Sequence, residues 1–251
     1  MALILCCAGK NTRFHDAGFD IPKYLLPWNK AHCVLAEILF NLKNSFDVGR
    51  VIILANKRDI YFYNHLMASL AILNIKDLVI EYIDDTDGQA QTAHIGTEFE
   101  MGDGPLFIHN ADTILYNRKK TDIDLVDSSI FMNYHTFNAH VDCFSPADLS
   151  PKYCYVEVGA DKVRRIVEKE VISDQASSGL YVFKNKSIYR NFYRETPKTP
   201  GKELYISDIL KYMVKNNDNV SAVNYWDPKD TVVLGSPKEY QEEFAKRLRG
   251  E

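Results

Sequence analysis

Four short apolar runs alternate with stretches of helical periodicity in the first half of the chain, and this alternation constrains the fold more than any other feature. Ala2–Ala8, Arg50–Ala55, Leu78–Ile83 and Pro105–Asn110 read as strands. Between them His32–Leu42, Asp59–Leu73 and Gln89–Glu98 carry apolar residues at helical spacing. Strands that alternate with helices form a parallel sheet covered on both faces, the α/β arrangement. Such sheets bind ligands outside the carboxyl ends of their strands. Two polar clusters fall at those ends, Gly9–Arg13 and Asn110–Asp112.

The second half reads as richer in strand. Ser128–Tyr134, Tyr153–Val158, Val163–Glu168, Gly179–Phe183 and Val220–Tyr225 look extended. Ser187–Glu195, Glu203–Val214 and Lys238–Leu248 look helical. No proline-, glycine- or serine-rich linker divides the 251 residues, so a single domain is expected over 1–251.

Hydrophobic residues make up 46% of the chain and charged residues 25%, enough apolar mass for a sizeable core. A formal net charge of −4 gives no reason to expect nucleic acid as a partner. The chain shows no leader and no apolar run approaching ~18 residues, so the expectation is a cytoplasmic protein without a membrane partner. The cysteines Cys6, Cys7, Cys33, Cys143 and Cys154 are odd in number and lack zinc-like spacing. Cys6 and Cys7 read as small strand residues.

The first polar cluster is Ala8-Gly9-Lys10-Asn11-Thr12-Arg13, followed by Pro22-Lys23-Tyr24-Leu25-Leu26. A strand opening into such a loop presents peptide N–H groups to phosphate oxygens. Arg13 adds a planar, multi-donor cation and Lys23 a compact one. A surface turn with solvated charges is the bland alternative. The loop is neither a Walker A sequence nor G-x-G-x-x-G. The second cluster is Asp87-Gly88-Gln89-Ala90-Gln91-Thr92-Ala93, in which Gly88 permits close backbone approach. A glutamine amide, on Gln89 or Gln91, offers both a donor and an acceptor. The third is Phe107-Ile108-His109-Asn110-Ala111-Asp112-Thr113. An aspartate at the carboxyl end of an apolar strand suits Mg²⁺, which takes hard oxygen ligands. Asp112 also fits a helix cap, and His109 reads as a packed strand residue.

These segments resemble, in order, the sugar-phosphate nucleotidylyltransferases of the pyrophosphorylase type. Leu5–Phe14 and Pro22–Leu26 are similar to that family's L-x-A-G-x-G-[ST]-R-[FLM] and P-K-x-[LM]-[LIV] signatures, with Asn11 where glycine is usual. Asn is the non-glycine residue that best tolerates a left-handed backbone. Gly88–Ala93 resembles the base-facing G-x-A-[QS]-[AT] stretch, and Asn110-Ala111-Asp112 the metal-binding aspartate motif. Val167-Glu168-Lys169 and Ser178-Gly179-Leu180-Tyr181 resemble the acceptor-binding motifs. Gly201–Asp208 and Leu234–Tyr240 are further matches.

The resemblance implies a Rossmann-like, GT-A type three-layer α/β/α fold with a mixed, mainly parallel central sheet. It implies a nucleotide-binding half over 1–115 and an acceptor-binding half over 116–251. Ala8, Gly9, Lys10, Asn11, Thr12, Gly88 and Gln89 would hold the NTP, with Arg13 and Lys23 as the catalytic cations. Glu168, Lys169 and Gly179 would hold the phosphorylated acceptor, and Asp112 would bind Mg²⁺. Relatives place a second metal-binding aspartate where this chain has Val233. Asp227 is the preferred replacement, Asp230 the alternative, and a single carboxylate with more water a third arrangement. Tyr225, Trp226 and Tyr240 are candidates for an acceptor pocket or a subunit contact.

The implied reaction moves NMP from a pyrimidine NTP to a sugar 1-phosphate in surface-polysaccharide precursor synthesis. A CTP-dependent enzyme acting on phosphocholine or a phosphorylated amino acid is the alternative acceptor reading. A nucleotide-sugar glycosyltransferase and a non-catalytic nucleotide-binding module are the rivals from other classes.

Overall fold

The computed structural model describes residues 1–120, 137–160 and 162–249. The predicted strand Ser128–Tyr134 lies outside them. The first half contains β1 (Ala2–Cys7), α1 (Thr12–Asp16), α2 (Val34–Ser45), β2 (Arg50–Asn56), α3 (Tyr63–Ala71), β3 (Leu78–Ile83), α4 (Gln89–Gly96), β4 (Leu106–Asn110) and β5 (Thr113–Leu115). The second half contains β6 (Ala139–Phe144), β7 (Cys154–Gly159), β8 (Lys162–Glu168), β9 (Ala176–Phe183), α5 (Lys186–Glu195), α6 (Ile206–Lys215), β10 (Val220–Tyr225), β11 (Thr231–Val233) and α7 (Pro237–Arg249).

Among the described residues the main sheet has nine strands in the order β3-β2-β1-β4-β9-β6-β10-β8-β7. The first four are mutually parallel, as the strand–helix alternation predicts. β9 runs antiparallel to both β4 and β6, so β6 keeps the direction of the first four. β10 is parallel to β6, β8 antiparallel to β10, and β7 antiparallel to β8. Only β8 and β9 therefore oppose the common direction, giving a mixed, mainly parallel sheet. A separate antiparallel ribbon pairs β5 with β11.

Strand alternation sends side chains to opposite faces, and the core divides accordingly. Leu3 and Leu5 of β1 pack with Val51, Ile53 and Phe107 under α2, α3 and α7. Ile4, Ile52 and Ile108 pack on the other face with α4, α5 and α6. Helices on both faces of one sheet make the three-layer α/β/α arrangement.

The structure corrects the sequence reading in several places. The stretch Gly9–Phe14, expected as loop, contains the start of α1, whose Phe14 is buried against Phe19 and Tyr240. The helix expected over Asp59–Leu73 begins as a 3-10 turn, Lys57–Phe62, before α3. Strand β6 was not expected at all, because His140 and Asp142 break its apolar pattern. Both are nonetheless buried. His140 Nδ1 lies 2.9 Å from Ser221 Oγ. Asp142 accepts two hydrogen bonds from the Arg118 guanidinium, at 3.0 and 2.7 Å.

The Arg118–Asp142 side chains are 1% and 3% exposed. Arg118 also donates to the carbonyls of Tyr116 and Asp230 and to Thr231 Oγ1, and its guanidinium lies 3.9 Å from the Tyr225 ring centre. Removing one partner strands a buried charge, which costs on the order of 3–5 kcal/mol. Arg118→Met should therefore lower the unfolding free energy measured by urea titration by about that amount. The double variant Arg118→Met/Asp142→Leu should recover much of the loss. A single variant as stable as wild type would contradict this reading.

Candidate active site

A cleft of about 780 Å³ opens at the carboxyl ends of β1 and β4. The loop after β1 forms one wall. Asn11 has φ 56°, a left-handed backbone, and its peptide carbonyl accepts the N–H groups of Phe14 and His15. The residue that replaces the usual glycine thus takes the conformation glycine would favour. Both polar atoms of its carboxamide are buried without a protein partner. Ala8, Gly9, Lys10 and Thr12 line the same wall. Arg13 is exposed there and has no ion-pair partner among the described residues.

Lys23 lies in a 3-10 turn, Lys23–Leu25, and reaches across to β4. Its ammonium donates to Asp112 Oδ2 at 2.6 Å. Burial alone would raise the Asp112 carboxyl, but the adjacent ammonium dominates and holds it below the usual carboxylate range. The Asp112 carbonyl accepts the Leu234 N–H at 2.7 Å, so the β5–β11 ribbon fixes this aspartate from behind. His109 is buried with Nε2 2.8 Å from the Thr113 carbonyl, a packed strand residue as expected.

Gly88 has φ 133°, and a Cβ there would stand 2.6 Å from the Leu204 carbonyl. The loop before α4 therefore lies flat against the 203–205 segment, with Leu204 N–H donating to Asp87 and Ala90 N–H donating to Leu204. The Gln89 amide donates to Asn110 Oδ1. Asn110 in turn packs where a Cβ on Gly179, φ 88°, would stand. Gln89, Asn110 and Gly179 thereby link the two halves of the cleft floor. Gln91 does not line the cleft; its Oε1 accepts the Asp87 N–H at 2.5 Å and shapes the loop instead.

On the far wall Glu168 accepts the Ser207 hydroxyl. Lys169 has φ 57°, and its ammonium lies 3.4 Å from Tyr205 Oη and 5.5 Å from that ring's centre. Tyr205 donates to Glu203 Oε2 at 2.6 Å. Lys152, Lys202 and Glu239 also line the cleft and were missed as site residues. For Lys152 and Glu239 the only sequence signal is a place near the start of β7 and of α7.

Asp227 is the one assigned site residue that the cleft excludes. It is exposed and caps the 3-10 turn Pro228–Asp230, where its Oδ1 accepts the Lys229 N–H at 2.9 Å. Asp230 accepts from Asn117 at 2.6 Å, outside the cleft. Trp226, 63% exposed, also lies outside it. Tyr240 is buried, with its hydroxyl on the Pro27 carbonyl at 2.7 Å, and Tyr225 packs under Arg118. None of these aromatics builds an acceptor pocket.

The family described as nucleotidyl transferase matches residues 1–248, the length of the fold and every wall of the cleft. The chain belongs to that family. The bifunctional protein GlmU of Methanococcus maripaludis is 25% identical over 236 residues, covering 90% of this chain and 51% of that protein. The chain thus spans about half the length of this curated relative. A nucleoside-diphosphate-sugar pyrophosphorylase from Vibrio cholerae superposes with TM-score 0.82 at 23% identity, covering 98% of this chain and all (100%) of that one. A putative glucose-1-phosphate thymidylyltransferase from Bacillus anthracis gives 0.79 at 18%, covering 98% and 94%. The inositol-1-phosphate CTP transferase of T. maritima gives 0.68 at 14%, covering 99% and 96%. At these identities the structures share the fold. Among the described residues no helix is long and apolar enough to cross a membrane.

Burial is the largest influence on Glu168 and raises its carboxyl, partly offset by hydrogen bonds from Ser207 and Cys154. A raised acid favours the folded state fully below the unfolded value and loses that advantage as pH rises through the folded value. Glu168→Gln keeps an acceptor for Ser207 and removes the buried charge. Its melting temperature should exceed that of wild type at about pH 8, and the gap should close towards about pH 4. A gap that stays constant with pH would show that ionisation of Glu168 does not set it.

Proposed function

We propose that the protein is a magnesium-dependent nucleotidyltransferase, which moves NMP from a pyrimidine NTP onto a sugar 1-phosphate and releases pyrophosphate. The observation that carries this reading is the meeting, in one cleft, of Arg13, which has no ion-pair partner among the described residues, the Lys23–Asp112 pair and Lys169. The related structures are named for nucleoside-diphosphate sugars, glucose 1-phosphate and inositol 1-phosphate, which supports the same class. Glu168, Glu203 and Ser177 on the acceptor side offer acceptors suited to sugar hydroxyls.

An acceptor phosphate oxygen attacks the α-phosphorus as the α–β bridging P–O bond breaks, and pyrophosphate leaves. The protein contributes position and charge rather than covalent chemistry. Arg13 and Lys23 face the negative charge that grows on the leaving pyrophosphate. Lys169 holds the incoming phosphate in line, and Glu168 orients the acceptor hydroxyls. The loop from Ala8 to Thr12 and the flat turn at Gly88 and Gln89 hold the nucleotide.

The residues fit a divalent cation. The Lys23 ammonium already sits on Asp112 Oδ2 at 2.6 Å, so that oxygen accepts a cation, and a carboxylate is the donor Mg²⁺ prefers. Asp112 would hold the ion, which when bound neutralises phosphate oxygens around the reacting phosphorus.

Pyrophosphate release should be followed with Mg²⁺, each NTP in turn, and a panel of sugar 1-phosphates, phosphocholine and phosphorylated amino acids. Release is expected with one pyrimidine NTP and one sugar 1-phosphate. Asp112→Asn should lower it by about a hundredfold or more. Release with phosphocholine alone would overturn the sugar acceptor. NTP binding without release from any pair would favour a binding module. Transfer from a nucleotide sugar would identify a glycosyltransferase.

A further inference from the structure

The strand residue nearest Asp112 in the β5–β11 ribbon brings no carboxylate. Val233, which pairs with Thr113, is aliphatic and lines the cleft. Asp227 and Asp230 are engaged elsewhere. The chain nevertheless returns a carboxylate to this corner one turn later. Glu239, in the first turn of α7, lines the cleft.

Gly235 measures the approach. A Cβ at Gly235 would stand 4.0 Å from Asp112 Oδ2 and 3.6 Å from Glu239 Oε2. The two carboxylates therefore flank the same glycine, with Val233 beside them and no side chain at Gly235 to separate them. Each carboxylate is matched by an ammonium, Lys23 on Asp112 at 2.6 Å and Lys152 on Glu239 at 2.9 Å. Two carboxylates on either side of one glycine, each neutralised by a monocation, are a charge arrangement that a divalent cation can share. Mg²⁺ commonly takes one or two carboxylates and completes its shell with phosphate oxygens and water.

We propose that Glu239 supplies the second carboxylate towards the divalent cation of this site, in place of the one missing at Val233. The inference rests on the transferase reading, through the assignment of Asp112 to the metal. Glu239 also has a structural use. Its Oε2 accepts the Ser236 hydroxyl at 2.8 Å, and its N–H donates to Ser236 Oγ at 3.3 Å, which caps α7. Glutamine serves in such a cap as glutamate does. Glu239→Gln therefore removes the charge and keeps the cap.

The test is Mn²⁺ binding to the full chain without nucleotide, read by water-proton relaxation. Asp112→Asn and Glu239→Gln should each weaken Mn²⁺ by about tenfold or more, and Asp227→Asn should leave it unchanged. Adding Val233→Asp to the Glu239→Gln variant should restore the lost affinity, which repair of a helix cap would not do. Wild-type affinity in Glu239→Gln, with loss in Asp112→Asn, would overturn this inference and leave the transferase reading standing. Loss without rescue by Val233→Asp would assign Glu239 to the cap and also overturn it. Unchanged affinity in Asp112→Asn, or no binding by wild type, would overturn the metal assignment itself.

Discussion

Arg118 is the buried cation around which the two halves of the molecule are assembled. Its guanidinium joins Asp142 of β6, the Tyr116 and Asp230 carbonyls, and Thr231 of β11, with the Tyr225 ring of β10 packed against it. A buried ion pair is a weak source of net stability compared with apolar packing, and a strong constraint on geometry once its partners are satisfied. Here it fixes where β11 lies. β11 pairs with β5, and Leu234 binds the Asp112 carbonyl. The corner that holds Asp112 therefore depends on a charge that does not line the cleft.

The cleft also concentrates backbone strain. Asn11, Gly88, Lys169 and Gly179 all have positive φ and all line it. A non-glycine residue in this region costs on the order of 1–2 kcal/mol and persists only where surrounding structure holds it. For Lys169 the restraint is visible, since its N–H donates to the Tyr153 carbonyl at 2.8 Å. That bond carries the lysine out of the β8 strand direction and onto the far wall of the cleft.

The parallel part of the sheet was legible because its strands are unbroken apolar runs. The loops at their carboxyl ends were legible because the topology leaves ligand-binding residues nowhere else. β6 was hidden by His140 and Asp142, whose partners Ser221 and Arg118 are distant in sequence. β5 and β11 were hidden by length, since three residues carry no period. Asp227 misled for another reason. Its nearness to a strand end says nothing of direction, and an aspartate before proline turns back to cap its own turn. Glu239 was illegible because its value comes from Gly235 leaving space beside it.

The β5–β11 ribbon joins residues separated by almost half the chain. On the ribosome, β1 to β5 and the loop after β1 emerge well before β11, the partner of β5, exists. At typical elongation rates the delay is on the order of ten seconds. Throughout it a nascent chain can display the loop after β1 while the corner that positions Asp112 stays unbuilt. Pairing so remote in sequence also raises contact order, which slows the final closure. The corner around Asp112 is thus complete only after β11 and α7 are made.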